Sequence, residues 1–435
     1  MAVGGVEILF VGDIHLGKSP SRIPEKLQSA ELSPAAAWRN TVDHALRTRV
    51  DAVVLAGDVI EGIHDRFEAF PDLEEGVRRL TEAGIEVFGV AGNHDVEALP
   101  RIAERLPTFR LLGAGGNWEP ATVHGSAGGE VDLLGWSFPR ERVTTSPLDS
   151  LTHGPRPGVA MLGVLHGDLD RPSSPHAPIS RAVLQASAQG AWFLGHIHKP
   201  GDLNLPRPVG YLGSISGVDF GPGERGRHGP WRVRVEGTQI TEIEQLALAP
   251  VRYERIDIAI DDLEGTEDRE ADDILSDAIF QTTQEFAEEV RDDESADALR
   301  VLAFRIRLTG REPEPGFLSS LNLEKLQNEV IAQASDLSSF VEKIEVKAGI
   351  AIDLEATATG SDPMALLAQR ILTLIDDGPE ARALIDAARG PLEDAYAGQY
   401  RMDEDEVPDV REVLLSTAWR LLDELRAQKP QATAS

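Results

Sequence analysis

Cysteine is absent from all 435 residues, which excludes disulfides, thiolate nucleophiles and thiolate-held zinc. Any metal must therefore be held by oxygen and imidazole. Long apolar runs are also missing: none approaches the ~20 residues needed to cross a bilayer. The opening Met1-Ala2-Val3-Gly4-Gly5-Val6 has no basic segment followed by an apolar one. The expectation is a soluble, cytoplasmic protein with no membrane partner. Positive charge is scarce, with 42 bases against 73 acids and a net charge of −31. Spread evenly, that charge would repel a nucleic-acid backbone. A surface rich in Arg and poor in Lys also suits a salt-adapted proteome, where repulsion is screened over a few Å. The acids are uneven, however. Residues Glu264 to Asp297 and Asp403 to Asp409 are acid-dense, whereas Lys199 to Arg234 carries Lys199, Arg207, Arg225, Arg227, Arg232 and Arg234 against only Asp202, Asp219 and Glu224.

What the chain does have is a set of polar clusters that interrupt apolar runs. Gly92-Asn93-His94-Asp95 follows Val87-Phe88-Gly89-Val90, which reads as a buried strand opening into a loop where α/β sheets place their chemistry. Asp13 and His15 follow Ile8-Leu9-Phe10-Val11, and Asp58 follows Val53-Val54-Leu55. His166 follows Val164-Leu165, and His196 with His198 follows Trp192-Phe193-Leu194. Asp, Asn and His are the donors that suit Zn, Mn or Fe. A lone His at a strand end is more often a hydrogen-bonded loop residue, but five such clusters in one chain point to one assembled metal centre. Asp13 and His15 on an extended strand end point both side chains the same way, because a period of two returns each to the same face, and His196 and His198 gain from the same alternation.

Length alone implies two or three domains. Ser33-Pro34 reads as an N-cap with Pro at the first helical position, followed by Trp38, Val42, Ala45 and Leu46 at helical spacing. A second strand, the turn from Gly57 to Gly62, and a helix opened by Pro71 repeat the unit, and Glu86 to Val90 is a third strand. Strands alternating with helices imply a largely parallel sheet. From Thr108 shorter strands appear at 109–112, 131–138, 159–165, 192–194, 209–212, 231–235 and 239–244, and a second sheet facing the first would account for them. After the linker Leu246 to Pro250 comes a small α+β region: a strand from Tyr253, an acidic helix to about Val290, a strand 299–308, a helix from Asn322, and a strand pair at 341–346 and 350–354. The remainder reads as helices, the longest being Val410 to Arg426, with a frayed tail from Pro430 to Ser435.

The sequence Asp-x-His, Gly-Asp, Gly-Asn-His-Asp, His, Gly-His-x-His resembles the calcineurin-type metallophosphoesterases. Gly12-Asp13-Ile14-His15, Ala56-Gly57-Asp58-Val59, Ala91 to Asp95, Leu165-His166-Gly167 and Leu194 to Lys199 carry the likeness. Tyr211-Leu212-Gly213-Ser214, Asp219-Phe220-Gly221 and Gly226 to Trp231 narrow it to the SbcD-type exonuclease subunits of double-strand-break repair complexes, over about residues 6 to 260. The resemblance implies an α/β two-sheet sandwich flanked by helices (1–248), an α+β capping domain (251–358) and a helical partner-docking segment (362–429). It implies that Asp13, His15 and His198 hold one ion, that Asn93, His166 and His196 hold another, and that Asp58 bridges both. This donor set favours Mn, with Fe or Zn as alternatives. His94 is then the acid or charge stabiliser beside the leaving oxygen. The position three after Asp58, usually Asp or His in that family and taken to orient the catalytic imidazole, is Glu61 here, which puts the geometry of a His94–Glu61 contact in question.

The implied activity is metal-dependent DNA cleavage, exonucleolytic or endonucleolytic, in a complex with an SbcC-like coiled-coil ATPase, with dimerisation left open. Arg225 and Arg227 are the expected DNA contacts. The last helix would dock the ATPase through Leu414, Leu415, Trp419 and Leu422, unless that stripe packs on residues 365–375 instead. Two rivals are a phosphoesterase for small nucleotides or phosphoproteins, which the acidity suits, and a non-catalytic scaffold for an ATPase. The other histidines, His44, His64, His124, His153 and His176, read as ordinary helix, loop or strand-end residues. His228 is either a phosphate contact or simply exposed.

Overall fold

A computed structural model describes residues 4–61, 66–263, 269–293, 296–329, 331–334, 337–376, 378–397 and 409–428. Expectations for Gly62, His64, the acidic stretch 403–408 and the tail 430–435 fall outside these residues. In chain order the strands are β1 (Gly5–Val11), β2 (Ala52–Ala56), β3 (Glu86–Val90), β4 (Phe109–Leu111), β5 (Trp118–His124), β6 (Glu130–Trp136), β7 (Ala160–His166) and β8 (Ala191–Gly195). Then follow β9 (Val209–Tyr211), β10 (Trp231–Glu236), β11 (Gln239–Gln245), β12 (Val251–Ala259), β13 (Val301–Thr309), β14 (Ile331–Ala334) and β15 (Leu337–Val346). The helices are α1 (Pro34–Thr48), α2 (Arg66–Glu82), α3 (Ala98–Arg105), α4 (Arg181–Ala186), α5 (Ala271–Arg291) and α6 (Phe317–Ser320). They continue with α7 (Leu323–Glu329), α8 (Leu354–Thr357), α9 (Pro363–Ile375), α10 (Pro379–Ala397) and α11 (Val410–Gln428).

The strand alternation of β1 builds the first layers. Ile8 and Phe10 point to one side and Leu9 and Val11 to the other, and all four are buried. On the outer side Leu9, Val11, Val53 and Leu55 pack against Trp38 and Val42 of α1 and Leu73 and Val77 of α2. On the inner side Phe10, Val54 and Phe88 meet Leu133, Leu162, Val164 and Phe193 of a second sheet, with the rings of Phe10 and Phe193 stacked at 4.0 Å between centroids. Helix α1 starts where its cap predicts: the Ser33 hydroxyl accepts from the Ala36 N–H at 3.3 Å and Pro34 occupies the first turn. The first sheet has the order β11-β10-β1-β2-β3-β4 and the second β5-β6-β7-β8-β9. This is the mixed α/β, two-sheet architecture expected, with helices at the C-terminal end of the chain.

Several local readings change. Strands β4, β10 and β11, expected in the second sheet, extend the first, with β4 parallel to β3 and β10 antiparallel to β1. Strand β5, unnoticed in the sequence, pairs antiparallel with β6 along its whole length, and its exposed Glu119, Pro120 and His124 hide the apolar alternation. Pro71 lies inside α2 rather than at its start. Strand β15 pairs with β14, while residues 350–353 have no strand and lead into α8.

By internal contact the chain divides into two compact units, one comprising Met1–Asp257, Ser276–Arg307 and Leu323–Glu345, the other Ile258–Leu275, Leu308–Asn322 and Val346–Ser435. The expected capping stretch 251–358 contributes segments to each. In the second unit α11 lies on α9, burying Leu422 and Ala418 against Ile371 with Leu415 and Trp419 at the margin. The Arg311 guanidinium sits 3.8 Å above the Trp419 ring and pairs with Asp423 at 3.0 Å. Of the apolar stripe of the last helix, Leu422 is buried within this unit, while Leu415 and Trp419 are only partly covered and Leu414 is half-exposed outside the cluster. No helix among the described residues is long and apolar enough to cross a membrane.

Candidate metal centre

The polar clusters fall at the C-terminal ends of β1, β2, β3, β7 and β8, and backbone bonds tie those ends together. His15 N–H donates to the Asp58 carbonyl at 2.9 Å, and His196 N–H donates to both Asp13 carboxylate oxygens at 3.0 Å. The His94 N–H donates to Asp58 Oδ1 at 2.9 Å. The reading of Asp13/His15 and His196/His198 as extended pairs is overturned. Strands β1 and β8 stop at Val11 and Gly195, and Asp13, His15, Asp58 and His196 have left-handed φ values of 28°, 50°, 47° and 102°. Half of the described non-glycine residues with positive φ are therefore expected ligands, a concentration of backbone strain typical of functional sites. Close approach explains two neighbours: a Cβ on Gly92 would lie 2.2 Å from Asp58 Oδ1, and one on Gly195 would lie 2.1 Å from the Ala56 carbonyl oxygen.

Two trios of donors result. Asp13, His15 and His198 form one and Asp58, His166 and His196 the other, each with ligand atoms within 4.8 Å of one another. Asn93 joins the second, its Oδ1 3.1 Å from His166 Nε2. All seven expected ligands are brought to one place. The His15 and His198 Nε2 atoms stand only 2.9 Å apart. Each ring has its Nδ1 beside a carboxylate, Glu61 for His15 at 2.6 Å and Glu224 for His198. Those carboxylates favour the proton on Nδ1, so the two Nε2 lone pairs face one point, an arrangement a cation between them resolves. On the other side His166 Nδ1 lies 3.1 Å from the Ala56 carbonyl, which leaves Nε2 for ligation. The donor set and its geometry fit a pair of divalent cations.

The electrostatics carry the same demand for positive charge. Burial pushes the Asp13 carboxyl up, with His166 opposing and the like charge of Asp58 adding. Asp58 is buried too, yet the charge of His166 and its contact hold its carboxyl well below the usual range. Burial works against the His166 cation, but Asp58 overrides it and raises that imidazole to about 9. Burial and the nearby His166 lower His196 to about 4. Cation binding to such a set is coupled to proton release.

The expected His94–Glu61 pairing takes another form. His94 Nδ1 sits 3.2 Å from the Glu61 backbone carbonyl, while the Glu61 carboxylate lies 2.6 Å from His15 Nδ1 and 2.9 Å from Lys18 Nζ. His94 is exposed and, with Asn93, Arg142 and His176, lines a cleft of about 560 Å³. The sequence reading passed over three residues here. His176, taken as ordinary, has its ring 5.1 Å from that of His196. Asp168, one residue beyond the quoted Leu165-His166-Gly167, is buried, accepts from the Ser174 hydroxyl and lies 3.4 Å from His196 Nε2. Glu224 was counted only as a charge. Asp168 follows a motif directly and was findable; the other two come from loops and carry no local signal. Asp95 is fully buried and braces the turn by accepting from the Gly92 and Val59 N–H groups, both at 2.7 Å.

The basic stretch differs from expectation. Arg227 pairs with Asp293 at 2.7 Å, Arg232 with Glu242 and Glu244, and Arg207 donates to the Ser187 and Gln189 carbonyls. Arg207, Arg227 and Arg232 are thus engaged within the fold. His228 is buried, with Nδ1 3.0 Å from the Ser214 hydroxyl, so it is neither exposed nor placed to touch phosphate.

Residues 6–200 match the family model described as calcineurin-like phosphoesterase. An uncharacterized metallophosphoesterase, YhaO of Bacillus subtilis, is 28% identical over 219 residues, covering 46% of this chain and 50% of that protein. The DNA double-strand break repair protein Mre11 of Aeropyrum pernix is 30% identical over 224 residues, covering 48% of this chain and 53% of that protein. Its namesake from Haloferax volcanii is 38% identical over 109 residues, covering 24% and 22%. The chain spans about half the length of the first two of these relatives. With the family match falling on the strands whose ends carry both donor trios, residues 6–200 are a calcineurin-like metallophosphoesterase domain.

Proposed function

We propose that this chain is a metal-dependent phosphodiesterase that cleaves DNA, working as the nuclease subunit beside an SbcC-like coiled-coil ATPase. The observation that carries the hydrolytic reading is the pair of donor trios at adjoining strand mouths, with His94 on the rim of the adjoining cleft. Likeness to the Mre11 repair proteins supports DNA as the substrate class. Asp13, His15 and His198 would hold one cation, Asn93, His166 and His196 the other, and Asp58 would serve both. Such a pair, most suitably Mn, supplies an activated water and neutralises charge on the phosphoryl oxygens. The protein's own part is positioning and proton transfer. The Glu61 carbonyl accepts the Nδ1–H of His94, which turns Nε2 toward the cleft, where an Nε2–H can be donated to the leaving oxygen. Left-handed backbone at four ligand positions holds the donors before substrate arrives.

One rival has a specific observation behind it. With a net charge of −31 and Arg227 and Arg232 of the basic stretch paired to carboxylates, a small nucleotide or phosphoprotein substrate needs no extended cationic track. The deciding assay gives the purified chain Mn with linear DNA and with a small aryl phosphodiester, each with and without a coiled-coil ATPase of the SbcC class. DNA cleavage that rises with the ATPase is the expected outcome. Hydrolysis of the small diester alone selects the rival, and inactivity on both substrates sinks the enzymatic reading.

A further inference from the structure

The Glu61 carboxylate is spent on the metal trio rather than on His94. It lies 2.6 Å from His15 Nδ1 and is held there by Lys18 Nζ at 2.9 Å, while His94 has only the Glu61 main-chain carbonyl. Glu224 repeats this arrangement on the other imidazole of the same trio. One of its oxygens contacts His198 Nδ1 and the other accepts from the Val218 N–H at 3.0 Å, so the carboxylate is anchored at both ends. Each far nitrogen is thus held by its own carboxylate, and the two Nε2 atoms converge to 2.9 Å. In the second trio the corresponding atom of His166 meets a neutral carbonyl, Ala56, instead of a carboxylate.

We propose that Glu61 and Glu224 are a matched pair of positioning residues for the Asp13–His15–His198 trio, fixing both imidazoles and strengthening their Nε2 atoms as donors, so that one of the two cation sites is tuned independently of the other. This rests on the two-cation reading given above. A carboxylate behind a ligating imidazole sets its tautomer and ring angle and raises its basicity, and losing such a partner typically costs about 10–100-fold in metal affinity. Glu61 differs from Glu224 in having a second neighbour in the cleft, His94, which makes it the more informative of the two.

The test uses the full chain stripped with chelator and titrated with Mn²⁺ by calorimetry, comparing wild type with Glu61→Gln, Glu224→Gln and the double variant. Thermal unfolding in chelator controls for the fold. Wild type should show two binding events. Each single variant should weaken one event about 10–100-fold and leave the other within twofold, the same event in both cases, and the double variant should lose it. Retention of both events in Glu61→Gln with only a slower diester hydrolysis would show that the carboxylate serves His94, and would overturn the inference. Equal weakening of both events overturns it as well, because the braces would then act on the fold. If wild type itself binds no Mn²⁺, the two-cation reading fails and the inference with it; if wild type binds two ions and the variants match it, only the inference fails.

Discussion

At the scale of single residues, the proposed mechanism gives metal holding to Asp58 and proton transfer to His94, and the two roles can be separated. Asp58 lies in the second trio, its charge reaches Asp13, and its Oδ1 accepts the His94 N–H. Asp58→Ala should abolish hydrolysis and lower Mn content. His94→Ala should keep the metal and lose about 10²–10⁴-fold in rate, the usual cost of a missing general acid. Metal analysis beside the kinetics checks both, and a His94→Ala protein of wild-type rate would remove that residue from the mechanism. Away from the centre, His44 on α1 gives a pH signature. Burial, helped by Arg47 and Arg232, lowers its imidazole from 6.5 to about 4. The unfolded chain therefore takes up a proton between those values that the folded chain refuses, so stability is lost as pH falls through that window. The urea midpoint of His44→Gln should fall less than that of wild type between pH 7 and pH 4.

At the scale of elements, the pairing of α9 with α11 decides what the C-terminal helices do. Leu422 is fully buried against Ile371, and truncating a buried Leu to Ala typically costs about 2–5 kcal/mol. Leu422→Ala should therefore lower the unfolding midpoint of the second unit, read by limited proteolysis of the 346–428 region. Deleting the chain from Val410 onward should do so more strongly, because it uncovers the apolar face of α9. Loss of ATPase association in such a truncation would then report a damaged unit. An unchanged proteolysis pattern in Leu422→Ala would contradict the packing. Exposed Leu366 and Ile375 on α9 and Leu421 on α11 are the apolar positions that this packing leaves on the surface.

At the scale of the whole molecule, a net charge of −31 must be carried by a fold that buries Asp13, Asp58, Asp95 and Asp168 around one centre. Self-repulsion falls as the Debye length shrinks from about 10 Å at 0.1 M salt to about 3 Å at 1 M. The metal-free chain should gain thermal stability over that range of potassium chloride, and a falling midpoint would show that its acids are already compensated by local pairs. Pairs of that kind do exist on the exposed face of α2, where Arg78 contacts both Glu75 and Glu82, but exposed pairs contribute little.

The sequence by itself determined the donors and the strands that present them. Ile8 to Val11, Val53 to Leu55 and Val87 to Val90 are apolar because both faces of a parallel sheet are covered, and a polar residue straight after such a run can only stand at the strand mouth. The Ser33-Pro34 cap was legible for the same local reason. Tertiary structure alone decided which sheet β4, β10 and β11 join, because strand pairing depends on partners far along the chain. It also decided that the ligand turns are left-handed rather than extended, a conformation imposed by bonds such as His196 N–H to Asp13. The partner of each imidazole lay beyond sequence for that reason too. Glu224 reaches His198 across 26 positions, and the Glu61 carboxylate goes to His15 while its main chain remains with His94.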